Sequence, residues 1–157
     1  MYKTKNDIPE KTRAALVELL NARLADSVDL MHQAKEAHWN VKGPSFIALH
    51  KLFDEVVDSA EGYMDLIAER VVQLGGTAEG TVQAAARRTT LEEYPSRISS
   101  ERDHIQALSS VLAAYGKEVR HAIAQSDEFG DKDTADIFTE ISRGTDKYLW
   151  FVEAHLG

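Results

Sequence analysis

Five side chains in the sequence combine imidazole and carboxylate groups in a pattern that could bind metal ions. They are His38, His50, Asp54, Asp65 and Glu69. Such a set suits iron, manganese or zinc better than copper(I), and two imidazoles with three carboxylates and open positions suit redox-active iron. The chain contains no cysteine, which excludes disulfides, thiolate metal sites and thiol catalysis. These residue types therefore predict a metal site in which iron is the favoured ion.

Four of the five residues fall on one predicted helix but cannot all reach the same ion. At about 100° per residue, His50, Asp54, Asp65 and Glu69 share a stripe beside the apolar face. His50 and Glu69 are nonetheless separated by roughly 28 Å along the helix, at about 1.5 Å per residue. One helix therefore supplies the two ends of a ligand set, and no single ion can contact both ends within one chain.

The spacing of the stripe is symmetric about a midpoint between residues 59 and 60. His50 and Glu69 are equally far from it, and so are Asp54 and Asp65. If two copies of the helix cross antiparallel on a two-fold axis there, His50 faces the partner's Glu69, and Asp54 faces the partner's Asp65. The spacing thus predicts an isologous dimer with a pair of sites, each made by both chains.

Two further features support this crossing. Ser59, Ala60 and Gly62 are small and would let the two helices approach closely. His38, at the end of the preceding helix, can fold back towards His50 as another ligand. Each predicted site then contains two imidazoles and three carboxylates.

Solvated acidic residues are the main alternative to a metal site. Carboxylates at i and i+4, such as Asp65 and Glu69, usually form a solvent-exposed helix face, and a single histidine beside an apolar stripe is usually an ordinary surface residue. The joint symmetry favours the metal site. Asp58 and Glu61 also pair symmetrically but without an imidazole, and there we favour a solvated or cavity-lining role over auxiliary metal binding.

Two Glu-x-x-His motifs resemble those of intrachain di-iron bundles. They are Glu101–His104 and Glu118–His121. Di-iron bundles carry such motifs on two different helices, whereas these share one predicted helix and lie roughly 25 Å apart. We therefore expect all four side chains at the surface, and His32 and His155 at the surface or in an interface.

Long amphipathic helices must position these residues. The chain has 157 residues, 43% of them hydrophobic, and a formal charge of -8, which indicates a globular protein and disfavours non-specific nucleic-acid binding. No apolar run approaches the length of a membrane span, and no secretory signal is visible. With no cysteine, the composition fits the cytoplasm.

Capping, proline and glycine signals indicate the helix boundaries. Asp7-Ile-Pro-Glu10 has the form of a capping box with proline in the first turn, and Gly75-Gly76 would end the second helix. The predicted long helices cover about 7–38, 45–74, 97–125 and 133–155, with a turn at 126–132. A short helix is predicted at about 90–93. Four long helices with one long central crossover predict an all-α, ferritin-like four-helix bundle.

Three segments resemble the Dps family of miniferritins, the DNA-binding proteins from starved cells. They are AHWNVKGPSFIALHKLFD, DLIAERVVQLGG and DTADIFTEISRGTDKYLWFVE. The resemblance covers nearly the whole chain and implies a single ferritin-like, Dps-type domain over residues 1–157, with a short N-terminal tail at 1–7. It further implies a hollow shell of twelve subunits with ferroxidase sites across each two-fold interface.

The resemblance also assigns roles to individual residues. Position by position, His38, His50 and Asp54 match the ligands from one chain, and Asp65 and Glu69 match those from its partner. Lys35 resembles a residue that lies behind the ligands, and Trp39 resembles a nearby aromatic that absorbs stray oxidising equivalents or simply packs. Metal enters shells of this family through three-fold pores lined with aspartates. The candidates for that lining are Asp131, Asp133 and Asp136.

Two functions follow as expectations. The first is oxidation of Fe(II), preferably by hydrogen peroxide, with storage of ferric oxide in the cavity. The second is non-specific DNA binding that compacts the nucleoid. DNA binding in this family usually depends on a Lys/Arg-rich extension, and here Lys3 and Lys5 are the only basic residues before Asp7. A helical scaffold without metal is a third possibility, which predicts no iron uptake.

Overall fold

The computed structural model describes all 157 residues, and the chain folds into five α-helices. They are α1 (Glu10–Asn40), α2 (Phe46–Gln73), α3 (Val82–Arg88), α4 (Glu101–Glu128) and α5 (Lys132–Glu153). The all-α class and the four long helices are confirmed, with boundaries close to those predicted. None of the five helices is both long and apolar enough to cross a membrane.

The helices pack as two antiparallel pairs joined by a long crossover. α1 packs mainly on α2 and α4 on α5, while contacts of α1 with α4 and of α2 with α5 close the bundle. A parallel bridge between Lys42 and Ser100 places the start of α4 beside the turn that joins α1 to α2. The crossover over residues 74–100 therefore returns along the bundle, and α2 and α4 run in the same direction.

A continuous core of 30 buried residues fills the bundle. On α2 the apolar residues at helical spacing form a second, apolar stripe that faces inward, except that Phe46 is 42% exposed. Its buried members are Leu49, Phe53, Val56, Ala60, Ile67 and Val71. Ala60 belongs to this stripe and is fully buried, so the expectation that it lies at a surface crossing is wrong. On the outer side of α2, Gly62 is exposed and Ser59 is half-buried. The face that carries the acidic residues therefore keeps a small residue at its centre.

The short helix of the crossover lies earlier than predicted. α3 begins after Thr81, whose side chain accepts a hydrogen bond from Ala84 N. The predicted helix at 90–93 is wrong: these residues are not helical, and Thr90 N donates to the carboxylate of Asp26 at 2.7 Å. Asp26 is fully buried on α1, and this burial raises the pKa of its carboxyl group. The carboxylate thereby fixes the crossover to the bundle.

The first helix starts without the capping box predicted at Asp7. Its N-cap residue is Pro9, which has no side-chain capping bond. The preceding residues form local turns instead, in which Asn6 Oδ1 accepts from Ile8 N at 3.0 Å. The helix therefore begins at Glu10, three residues later than predicted.

The N-terminal segment is bound to the body of the protein. Tyr2 N donates to Gly75 O at 2.5 Å, and Arg13 Nη1 donates to Leu74 O at 2.7 Å. Gly75 adopts a positive φ of 85° in the turn that ends α2, a conformation that favours glycine. Residues 1–7, predicted as a short tail, therefore lie against the end of α2, with Lys3 and Lys5 exposed.

Candidate metal centre

Two imidazoles come together where α1 ends and α2 begins. The His38 and His50 rings stack with their centroids 3.7 Å apart. His38 Nδ1 lies 2.7 Å from His50 O, and His50 Nδ1 lies 2.9 Å from His38 O. Because a carbonyl oxygen can only accept, each Nδ1 must carry the proton and donate it. In the neutral form of each ring, Nε2 then keeps the lone pair with which imidazole binds a metal.

A carboxylate lies next to this pair of imidazoles. Asp54 Oδ1 is 2.5 Å from Lys35 Nζ and 3.7 Å from His38 Nδ1. The hydrogen bond from Lys35 lowers the pKa of Asp54 below its ordinary value. Asp54 is therefore a carboxylate at neutral pH, and its Oδ1 is paired with the Lys35 ammonium.

Two aromatic residues, Phe46 and Trp39, lie near the imidazole pair. The Phe46 ring lies 5.1 Å from that of His50, and Trp39, next to His38, is 65% exposed. Because it is so exposed, the Trp39 indole does not pack in the core of its own chain. Its role towards oxidants stays a prediction.

The acidic end of the polar stripe on α2 lies away from the imidazole pair. Asp65 and Glu69 are exposed on α2. Asp65 lines a shallow surface concavity together with Asp58, Glu61 and Gly62. No group of three or more histidine, aspartate and glutamate side chains is close enough to hold a metal ion within the single chain. The structure therefore brings together His38, His50 and Asp54, and leaves the acidic end separate.

A buried ion pair that the sequence analysis missed anchors the acidic end of α2. Arg70, next to Glu69, donates through Nη2 to both carboxylate oxygens of Asp131 at 2.8 and 2.9 Å. Asp131 also caps α5 by accepting from Thr134 N at 3.3 Å. The two partners are separated by 61 positions, so no local pattern in the sequence could reveal the pair.

This pairing changes the set of pore candidates. Asp131 is only 3% exposed, and both of its oxygens are already bonded, so it cannot line a pore. α4 continues to Glu128, and the turn predicted at 126–132 is reduced to residues 129–131. Asp133 and Asp136 are exposed on the first turns of α5 and stay as candidates.

The two Glu-x-x-His motifs do not meet, as predicted, but the first is not at the surface. His104 is 1% exposed, and its Nδ1 lies 2.8 Å from the Tyr94 hydroxyl. Burial lowers the pKa of His104, so this imidazole is neutral at pH 7. The surface prediction is therefore wrong for His104, which occupies the i−4 position relative to the buried Leu108. In the second motif His121 is exposed, as expected.

Comparisons with known proteins identify the family of the chain. A ferritin-like domain matches residues 17–157. The DNA protection during starvation protein of Agrobacterium fabrum is 48% identical over 155 residues, covering 99% of this chain and 96% of that protein. Dps from Microbacterium arborescens, solved in a high iron form, is 36% identical with a TM-score of 0.87, covering 98% and 97% of the two chains.

A second solved structure extends the match to the whole fold. Mycobacterium smegmatis Dps is 30% identical with a TM-score of 0.94, covering 99% of this chain and 89% of that one. The fold thus agrees with these two structures over nearly the full length of the chain. The chain belongs to the Dps family of ferritin-like proteins.

Proposed function

We propose that the protein is a Dps-type miniferritin that oxidises Fe(II) at sites built by two chains and stores the ferric product in a hollow dodecamer. The observation that carries this proposal is the division of the ligand set along α2. The imidazole end is assembled within the chain, while the acidic end is exposed and about 28 Å away. A two-fold crossing of two α2 helices would bring the ends of different chains together, twice per dimer.

The imidazole end, formed by His38, His50 and Asp54, has the properties of an iron-binding half-site. His38 and His50 both turn Nδ1 towards a backbone carbonyl oxygen, so Nε2 is the atom that each neutral imidazole would offer to Fe(II). Asp54 is ionised and paired with Lys35, whose ammonium would be displaced or shifted as iron binds. Asp65 and Glu69 of the partner subunit would add two carboxylates. These stabilise Fe(III) more than Fe(II), because the attraction grows with the charge of the ion.

The reaction we propose balances with hydrogen peroxide as the oxidant. Two Fe(II) ions each give one electron, the O–O bond of one peroxide breaks, and two protons complete two water molecules. Delivery of both electrons at one site avoids the one-electron cleavage that releases hydroxyl radical. Where the site holds only one iron, a second Fe(II) must supply the other electron before a radical escapes. We also propose that Trp39, which is exposed and follows His38 in the sequence, takes up an oxidising equivalent that does escape.

Iron must also reach the cavity. We propose that Asp133 and Asp136, exposed at the start of α5, line the three-fold pores. Three copies of each carboxylate would attract cations into the shell. The buried Arg70–Asp131 pair would hold this end of α5 in place without contributing to the lining.

The test is the oxidation of Fe(II) by peroxide in a variant that lacks the assembled end. We expect a His50→Ala, Asp54→Ala double variant to lose at least about a hundredfold in initial rate, since metal ligands and their supporting groups act on this scale. A Glu153→Ala, His155→Ala variant is the matched control, because it removes an exposed acid and an exposed histidine at the end of α5. An undiminished rate in the first variant would reject the site.

Direct DNA binding is the second candidate, and the family name of the relatives favours testing it. The charge of -8 opposes it, and Lys3 and Lys5 lie on a segment bound to the body. Twelve copies could still bind by avidity. We expect no gel retardation at physiological salt, so that DNA is protected by removal of iron and peroxide. Retardation that persists there and disappears in a Lys3→Ala, Lys5→Ala variant would favour direct binding.

A further inference from the structure

A carboxylate from another helix holds the turn between the two imidazole-bearing helices. Residues 41–45 connect His38 on α1 with His50 on α2. Glu101, the first residue of α4, accepts a hydrogen bond at Oε2 from Ser45 N at 2.9 Å. Its own N–H donates to Lys42 O at 3.0 Å. The turn is therefore attached to the start of α4 at both of its ends.

Helix α2 lacks a cap of its own, and Glu101 supplies one. Ser45 is the N-cap residue but makes no side-chain capping bond, and the first turn of α2 contains no acidic residue. The N-terminus of a helix leaves backbone N–H groups without partners and is stabilised by negative charge. Glu101 provides both the missing acceptor and the missing charge from outside the helix.

Gly43 leaves the space that this carboxylate occupies. A Cβ atom at position 43 would lie 2.7 Å from Glu101 Cδ and even closer to Oε2, inside any real contact distance. A side chain at Gly43 would therefore displace the carboxylate from Ser45 N. The glycine and the glutamate form one arrangement, although they come from segments 58 positions apart.

The imidazole pair depends on the same turn. The reciprocal bonds need His38 O and His50 O to lie within reach of the opposite ring, 2.7 and 2.9 Å from the two Nδ1 atoms. Both carbonyls belong to the helix ends that residues 41–45 connect. A shift of α2 relative to α1 would lengthen both bonds and release the rings from the tautomer that frees Nε2.

We propose that Glu101 is a positioning residue for the metal site. By capping α2 it fixes residues 41–45, and so keeps His38 and His50 in register with their Nε2 atoms available to iron. Glu101 does not contact the metal and acts only through the imidazoles. This inference rests on the proposed function, and it gives a role to one of the residues that its motif alone places at the surface.

The test compares three substitutions in the first turn of α4 in the assembled protein. Glu101→Ala removes the acceptor, Glu101→Gln keeps an acceptor of the same length, and Asp103→Ala removes a neighbouring acid that bonds only within α4. We expect Glu101→Ala to raise the KM for Fe(II) by about tenfold or more, the effect typical of groups that orient metal ligands, with kcat little changed. Glu101→Gln should recover most of the affinity, and Asp103→Ala should match the wild type.

A second variant and a second measurement separate the possible failures. Gly43→Ala displaces the carboxylate while keeping Glu101, so it should shift KM in the same direction even where Glu101→Ala does not fold. Co(II) binding to the metal-free protein, without oxidant, should weaken in parallel in both variants. Wild-type affinity in both, or an equal loss in Asp103→Ala or Glu101→Gln, would overturn the role of Glu101. A wild-type protein that binds Co(II) but does not oxidise Fe(II) would overturn the proposed function instead.

Discussion

The two ends of α2 carry the two halves of the proposed site, and they are built differently. At the N-terminal end, His50 is stacked on His38 and bonded to its carbonyl, and Asp54 is paired with Lys35. At the C-terminal end, Glu69 extends into solvent, while its neighbour Arg70 is buried against α5. The same helix thus presents one preorganised half-site and one exposed half-site.

This difference would make metal binding at the proposed site depend on assembly, because each end of α2 supplies only part of the ligand set. The N-terminal half contains two imidazoles fixed by hydrogen bonds and a single carboxylate, Asp54. The C-terminal half has two exposed carboxylates, Asp65 and Glu69. Each half also depends on the start of another helix: Glu101 of α4 caps one end of α2, and Asp131 before α5 pairs with the other. In the proposed site, a second copy of the chain would supply the missing half.

The largest effect on stability should come from the buried ion pair at the C-terminal end. Arg70→Ala leaves the carboxylate of Asp131 buried without its main partner, and we expect a loss of about 3–5 kcal/mol in the free energy of unfolding. Denaturant unfolding at one fixed protein concentration measures this, because assembly also contributes to stability. Arg143→Ala, which removes an exposed arginine of α5, is the control. A loss below about 1 kcal/mol for Arg70→Ala would contradict the anchoring role.

The same ion pair predicts a pH dependence. Burial alone would raise the pKa of Asp131, but hydrogen bonds from Arg70 and Thr134 outweigh it, so the pKa lies below its ordinary value. The carboxylate therefore contributes stability above the unfolded-state pKa of about 3.9, and this contribution is lost as the pH falls through the lower folded-state pKa.

The measurement is the difference in unfolding free energy between wild type and Asp131→Asn at several pH values. We expect this difference to be constant from pH 7 to about pH 5 and to shrink below about pH 4. A difference that grows on acidification would show that Asp131 is not held as a carboxylate by its partners.

The smallest effect should come from the ion pair at the N-terminal end. Lys35 and Asp54 are both partly exposed, with side chains 32% and 44% accessible. Exposed pairs contribute about 0–1 kcal/mol, so Lys35→Ala should change the unfolding free energy by less than about 1 kcal/mol in the same unfolding assay. A loss as large as that of Arg70→Ala would remove the contrast between the two ends of α2.

The long helices and the candidate ligands were accessible from the sequence because both depend on local spacing. Apolar residues repeat with helical period along α2, and the symmetric stripe lies on the same helix. The positions that sequence reasoning placed wrongly depend on partners far along the chain. Thr90, in the predicted short helix, instead belongs to a segment bonded to Asp26, 64 positions away.

Two other cases show what a local pattern could and could not reveal. The burial of His104 had a signal, since Leu108 follows it at the i+4 position on the apolar face of α4. The roles of Glu101 and Asp131 had none, because a carboxylate in the first turn of a helix is favourable whatever it contacts. Only the three-dimensional arrangement shows that each carboxylate also holds one end of α2.

The most direct test of the central claim is complementation between two inactive variants. One carries His50→Ala with Asp54→Ala, and the other carries Asp65→Ala with Glu69→Ala. If each site takes one end from each chain, a mixed dimer contains one intact site and one doubly damaged site. Unfolded together and refolded as a random mixture, the two variants should recover about a quarter of the wild-type rate of Fe(II) oxidation. A mixture as inactive as its components, or full activity in either variant alone, would contradict a site shared between two chains.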